Sequence, residues 1–168
     1  MCDDVEVEIS DYKIKDCEWM HTTGLAPCIG VVISFNGRGF MLHTPDAVVE
    51  SKSNTDPFFK QVEQEIPRAN RGGIYPVVAG GRIENNDVCN AEIKCARQYV
   101  LKKISSLDFG QPHECWCPEG YSQNLSLETA TNKVEVHTLA ESEDDTEGCN
   151  KTLSLMHCPL SVSSINDD

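Results

Sequence analysis

The sequence is short of positive charge. It carries 14 Lys and Arg against 27 Asp and Glu, a formal net charge of −13. A protein that holds nucleic acid needs a basic face to displace counterions from phosphates, so nucleic acid is not expected as a partner. The same deficit is wrong for an anionic membrane surface. No apolar run approaches the length of a membrane span, and membrane insertion is not expected. Met-Cys-Asp-Asp-Val-Glu at the start is acidic where a secretory signal needs a basic beginning and an apolar core, so a cytoplasmic location is expected. There is no internal repeat, and apolar residues make up only 39% of the 168, which suits one domain with polar loops.

Cysteine is abundant, with nine residues. The odd number forbids complete internal pairing, and reduced thiols are expected in a reducing cytosol. Zinc is the competing use. His113, Cys115 and Cys117 form His-Glu-Cys-Trp-Cys, with Cys149, His157 and Cys158 downstream. The single residue between Cys115 and Cys117 is closer than paired zinc ligands usually lie, and no second well-spaced pair follows. The expectation is therefore no metal and no cofactor.

The chemistry is concentrated between Thr22 and His43, T-T-G-L-A-P-C-I-G-V-V-I-S-F-N-G-R-G-F-M-L-H. Cys28 stands in a Gly- and Pro-bounded turn before an apolar run over 29–35. Asn36-Gly37-Arg38-Gly39 reads as a hairpin turn, since Asn and Gly tolerate positive φ, and 40–44 returns. At about 3.3 Å per residue the two arms match in length, so Cys28 and His43 come to one end of one sheet. A thiol beside an imidazole is the minimum kit for nucleophilic cysteine chemistry: the imidazole takes the thiol proton and the thiolate attacks. Taken singly, Cys28 reads as a small buried hydrophobe and His43 as a strand-end residue. Their pairing at the hairpin ends is what favours a catalytic role.

Around this hairpin the pattern predicts a strand over 5–9, continued over 12–15 after a turn. A short helix is expected over 46–50, and 51–56 reads as a loop or helix entry. A helix then starts at Asp56-Pro57 and runs to Ile66, followed by a buried strand over 74–79. A helix capped by Asn85-Asn86-Asp87 runs from Val88 to Ile104 with helical apolar spacing. Residues 109–122 read as loop and 133–139 as a strand. Residues 141–148, with five acidic side chains, read as a solvated loop, 152–156 as a last strand and 161–168 as a disordered tail.

The order Thr22, Cys28, His43, with a Gly-rich approach to the cysteine, resembles the chemoreceptor glutamine deamidases (CheD). The catalytic domains of the cytotoxic necrotizing factor toxins and of Burkholderia lethal factor share that core. The strand, glycine pair and helix over 75–104 and the strand over 133–138 are similar to elements of the same family, so the likeness spans roughly residues 5–140. It implies an α+β fold, a single-domain β-sandwich of mixed and antiparallel strands flanked by helices. Residues 1–140 would form the deamidase-like part, and 141–168 an acidic loop, last strand and tail of the same domain.

The resemblance also implies an activity: hydrolysis of a glutamine side-chain amide in a protein substrate, with Cys28 as nucleophile, His43 as general base and Thr22 orienting the histidine. A shift of one residue to Thr23 stays open. The partner implied is a protein with an exposed glutamine, met inside the cell in the chemoreceptor type or in a host cell after export in the toxin type. Oligomeric state is open. Pro27 departs from the family, which has a small residue there. It removes an N–H before the nucleophile, so donors for a developing oxyanion must come from elsewhere in the turn, beginning with the N–H of Cys28. His21, just ahead of Thr22, points to the opposite face of a strand and is a poor base, while Trp19 reads as a core or cleft-rim residue. Another cysteine amidohydrolase, or a binding domain that keeps the fold without the chemistry, are the alternative readings.

Overall fold

The computed structural model describes residues 4–45, 48–84, 90–141 and 148–156, and for 48–51 the backbone alone. In chain order the elements are β1 (Asp4–Glu6), β2 (Asp11–Asp16), β3 (Trp19–Leu25), β4 (Ile29–Phe35), β5 (Arg38–Thr44), α1 (Val48–Glu65) and α2 (Arg68–Arg71). They continue as β6 (Val77–Gly80), α3 (Asn90–Ser106), β7 (His113–Trp116), β8 (Tyr121–Glu128), β9 (Lys133–Ala140) and β10 (Gly148–Ser154). Two five-stranded sheets form a single domain. One has the order β1-β3-β8-β9-β10 and the other β2-β5-β4-β6-β7. Both are mixed, because β1 runs parallel to β3 and β6 parallel to β7 while the other pairs are antiparallel. The fold is an α+β sandwich of two sheets with helices.

The β4–β5 hairpin explains the layering. Asn36 and Gly37 both have positive φ, 53° and 78°, so the turn is a two-residue one whose twist suits the strands it joins. Pairing then runs without a break from Phe35 with Arg38 to Ile29 with Thr44. Ile29, Val31, Ile33, Phe40 and Leu42 face one way and pack with Phe58, Phe59, Val62, Ile66, Val100 and Ile104 of the helical layer. Val32 and Met41 face the other way and pack with Met20, Leu25, Leu125, Leu127, Val134 and Val136 of the opposite sheet. Strands covered on both faces read as continuous apolar runs, as 29–33 does. Each fully buried aliphatic or aromatic side chain here contributes about 1.5–3 kcal/mol.

Five elements differ from the sequence pattern. Helix α1 does not begin at Asp56-Pro57; it begins at Val48 and carries Pro57 inside it. An internal proline costs about 3 kcal/mol. The turn before it is held by tertiary bonds: Thr44 Oγ1 donates to Asn54 Oδ1 (2.9 Å), Thr55 Oγ1 to Thr44 Oγ1 (3.2 Å), and Asn54 Nδ2 to the His43 carbonyl (3.3 Å). Asp56, the expected cap, instead accepts from the Tyr99 hydroxyl and pairs with Lys103 at 3.3 Å on α3.

Residues 109–122 are not all loop. β7 pairs in parallel with β6, and β8 begins at Tyr121. Only Leu125 and Leu127 are apolar among the inward residues of β8, which hid it from a pattern search. Strand 5–9 is shorter than expected, ending at Glu6, and β10 starts at Gly148 rather than at residue 152. The expected cap at 85–87, residues 46 and 47 of the expected short helix, most of the acidic loop and the 161–168 tail lie outside the described residues.

Candidate active site

Three strands converge on the site. β3 places Met20 and Thr22 inward, both fully buried, and His21 outward beside Asp4, with Nδ1 2.9 Å from the Asp4 carboxylate. Thr23 is exposed, so of the two threonines Thr22 is the one that faces His43. β5 places His43 on the face that looks at the opposite sheet. Thr22 Oγ1 and His43 Nδ1 meet at 2.7 Å, bridging the two sheets. Thr22 Oγ1 also lies 2.6 Å from the Val7 carbonyl oxygen.

These two contacts fix the histidine tautomer. A hydroxyl has one proton, and a carbonyl can only accept, so the Thr22 proton goes to Val7. Thr22 Oγ1 must then accept from His43, which puts the imidazole proton on Nδ1. In the neutral ring Nε2 is left with its lone pair. That atom is buried and has no hydrogen-bond partner among the described residues. A buried acceptor left unsatisfied costs about 1–3 kcal/mol. Burial also pulls the His43 pKa down to about 4, because the charged ring loses its water. At neutral pH His43 is an uncharged base with a defined basic atom.

Cys28 stands one residue before β4. The ladder pairs Gly30 with His43 and Ile29 with Thr44. Cys28 packs against the inter-sheet core, the face that carries His43. It lies in the bend that leads into the ladder, two residues before Gly30, the register partner of His43. A Cβ on Gly30 would stand 2.8 Å from both Leu25 Cδ1 and Leu125 Cδ1, so the missing side chain lets the opposite sheet close over the site.

The Cys28 turn is anchored through its carbonyls. Gly81 N–H donates to the Cys28 carbonyl at 2.9 Å, and Arg82 N–H to the Ala26 carbonyl at 2.8 Å. Gly80, with φ +79°, runs so close that a Cβ there would sit 1.9 Å from the Cys28 carbonyl oxygen. The Gly80-Gly81 pair is thus a contact surface for the Cys28 turn, and Gly80 is also the end of β6. Because the anchors are carbonyls on both sides of Pro27, the N–H that proline lacks is not one the turn uses to hold its shape.

The remaining candidates are placed elsewhere. Trp19 is 39% exposed on the outer face. His113 Nε2 lies 3.0 Å from the Ser154 carbonyl, and His137 contacts Asn150 and Glu135. Burial pushes the Cys115 thiol up and the Cys117 thiol up to about 11, the opposite of what a thiolate nucleophile needs. Among the described residues no group of three or more His, Cys, Asp or Glu is arranged to hold a metal ion; His157 and Cys158 lie outside them. Two contributors escaped the sequence reading. The Val7 carbonyl is backbone and leaves no signature. Gln123 is 2% exposed, and its only trace is a polar residue in phase with Leu125 and Leu127.

No protein-family model matches this chain, and no curated protein matches it. Among the described residues no helix is long and apolar enough to cross a membrane.

Proposed function

We propose that this chain is a cysteine-dependent protein-glutamine deamidase related to the chemoreceptor and necrotizing-factor deamidases. The observation that carries the reading is the Val7–Thr22–His43 relay. It presents a neutral imidazole with Nε2 as the buried, unpaired basic atom, on the face where Cys28 packs. In the reaction, Nε2 takes the Cys28 thiol proton as Sγ attacks the carboxamide carbon. Burial keeps the His43 imidazole neutral at rest, ready to take the thiol proton as the S–C bond forms. Charge on the carboxamide oxygen is met by backbone N–H groups of the turn, beginning with that of Cys28.

The imidazolium then gives its proton to the departing nitrogen. The C–N bond breaks, ammonia leaves, and a thioester joins Cys28 to the substrate. Water attacks the thioester with Nε2 as base, the S–C bond breaks, and the thiol is restored. The sum is amide plus water to carboxylic acid plus ammonia, with no cofactor. A net charge of −13 favours a basic surface around the target glutamine.

Ammonia release and the amide-to-acid mass shift of glutaminyl residues in protein substrates test the reading. Cys28→Ser and His43→Ala are expected to abolish both while leaving the circular dichroism unchanged. Release from small amides but not from proteins would move the chain to another class of cysteine amidohydrolase. A Cys28 that alkylates no faster with His43 than without it would leave a binding domain.

A further inference from the structure

We propose that Gln123 is a positioning residue that holds the Cys28 nucleophile turn from the opposite sheet; this rests on the deamidase reading above. Gln123 sits on β8, paired in register with Leu25 and Thr138. Its side chain is buried in the space between the sheets and all of its bonds are directional. Oε1 accepts from the Gly80 N–H at 2.7 Å. Nε2 donates to the Cys115 carbonyl at 3.0 Å and to Thr138 Oγ1 at 3.1 Å. A backbone N–H demands an acceptor and a carbonyl demands a donor, so only one orientation of the amide satisfies the site, and only an amide supplies both functions at once.

The bond to Gly80 matters because of what Gly80 touches. Its N–H is held by Gln123, and its carbonyl accepts from Cys117 N–H at 2.7 Å. Pinned at both peptide groups, Gly80 lies against the Cys28 carbonyl, and the next N–H, that of Gly81, donates to the same oxygen. The path from Gln123 to the nucleophile is therefore one side-chain bond, one glycine and one backbone bond. Releasing Gly80 lets the Cys28 carbonyl swing, and Sγ moves with it relative to His43 Nε2. Misplacement of a reacting atom by about 1 Å costs about 100-fold in rate.

The test follows alkylation of each cysteine by iodoacetamide, mapped by mass spectrometry, with amide hydrogen exchange of the 80–82 segment. It uses the whole chain as wild type, Gln123→Leu, Gln123→Glu, Thr138→Val and His43→Ala. Gln123→Leu is expected to slow Cys28 alkylation about 10- to 100-fold and to raise exchange at Gly80 and Gly81, with Cys115 and Cys117 reacting as in wild type. Gln123→Glu keeps the acceptor for Gly80 but loses the donor to Cys115, so its loss is smaller. Thr138→Val, which removes only one partner of the amide, gives the smallest change in the same direction and serves if Gln123→Leu does not fold.

Unchanged Cys28 reactivity and unchanged exchange in the Gln123 variants overturn the proposal. So does a rise of Cys28 alkylation in step with Cys115 and Cys117, which marks general loosening. If wild type and His43→Ala alkylate Cys28 equally, the deamidase reading fails and the positioning role goes with it. If that dependence holds but the Gln123 variants behave as wild type, the positioning role alone is lost.

Discussion

Replacing Thr22 by Val removes one oxygen and almost no volume, and it strikes the relay at its centre. Two buried groups lose their partner at once: the Val7 carbonyl, 2.6 Å from Oγ1, and His43 Nδ1, 2.7 Å from it. Thr22 itself is fully buried, so water does not take the place of the hydroxyl without opening the sheets. Each unsatisfied group costs about 1–3 kcal/mol, which sets the expected destabilisation at about 2–6 kcal/mol. On the proposed deamidase reading, the effect on catalysis has a separate origin. With Oγ1 present, moving the proton from Nδ1 to Nε2 sacrifices a buried bond, so the basic tautomer is favoured. Losing a preference of about 1–3 kcal/mol lowers the ratio of the basic to the other tautomer about 5- to 150-fold, and kcat/KM falls with the competent fraction, by about 2-fold where the two tautomers become equal. Urea unfolding and kcat/KM for glutamine deamidation measure the two losses, with Thr22→Ser as the control that keeps the hydroxyl and stays within a few-fold of wild type. A Thr22→Val protein with wild-type stability and wild-type kcat/KM would refute the tautomer argument.

Three further outcomes follow from the same geometry. His43 is depressed from 6.5 to about 4 by burial, so the unfolded chain binds the extra proton between those values and stability falls as the pH drops. The contribution is present in full above about pH 6.5 and lost as the pH falls through about 4. It is worth about 3 kcal/mol at about 1.4 kcal/mol per pH unit, and chemical unfolding of wild type and His43→Gln between pH 7 and 4 should differ in slope by one proton. The acid limb of kcat/KM should likewise lie toward pH 4 rather than near 6.5; a limb at 6.5 would mean that the base is solvated in the free enzyme. Gly80→Ala should cost more than about 3 kcal/mol, since its Cβ would meet the Cys28 carbonyl oxygen at 1.9 Å and its φ is +79°. Gly37→Ala, with positive φ but open space around it, should cost only about 1 kcal/mol. Equal losses in the two variants by thermal or urea unfolding would show that close approach at Gly80 is not the issue.

The hairpin was legible because its causes are local. Asn36-Gly37 dictates the turn, two-residue turns fix register, and register alone sets His43 opposite Gly30 with Cys28 beside it. The apolar faces of 58–66 and 93–104 announced their helices for the same reason: 3.6-residue periodicity is written in consecutive residues. What the chain order did not reveal are contacts between elements far apart in sequence. α1 passes through Pro57 because Asn54 and Thr55 bond to the end of β5. β8 is a strand through its pairing with β3 and β9, although half of its inward face is polar. The choice between Thr22 and Thr23 needed the inward phase of β3, which its partners set. The tautomer of His43 depends on a carbonyl at Val7, fifteen positions from Thr22, and the anchoring of Cys28 on Gly80, Gly81 and Gln123. Sequence fixes which groups are present and how short segments turn. The protonation state and aim of those groups depend on buried bonds that exist only once two sheets have closed on each other, because a hydrogen bond gains its directing power when water is gone.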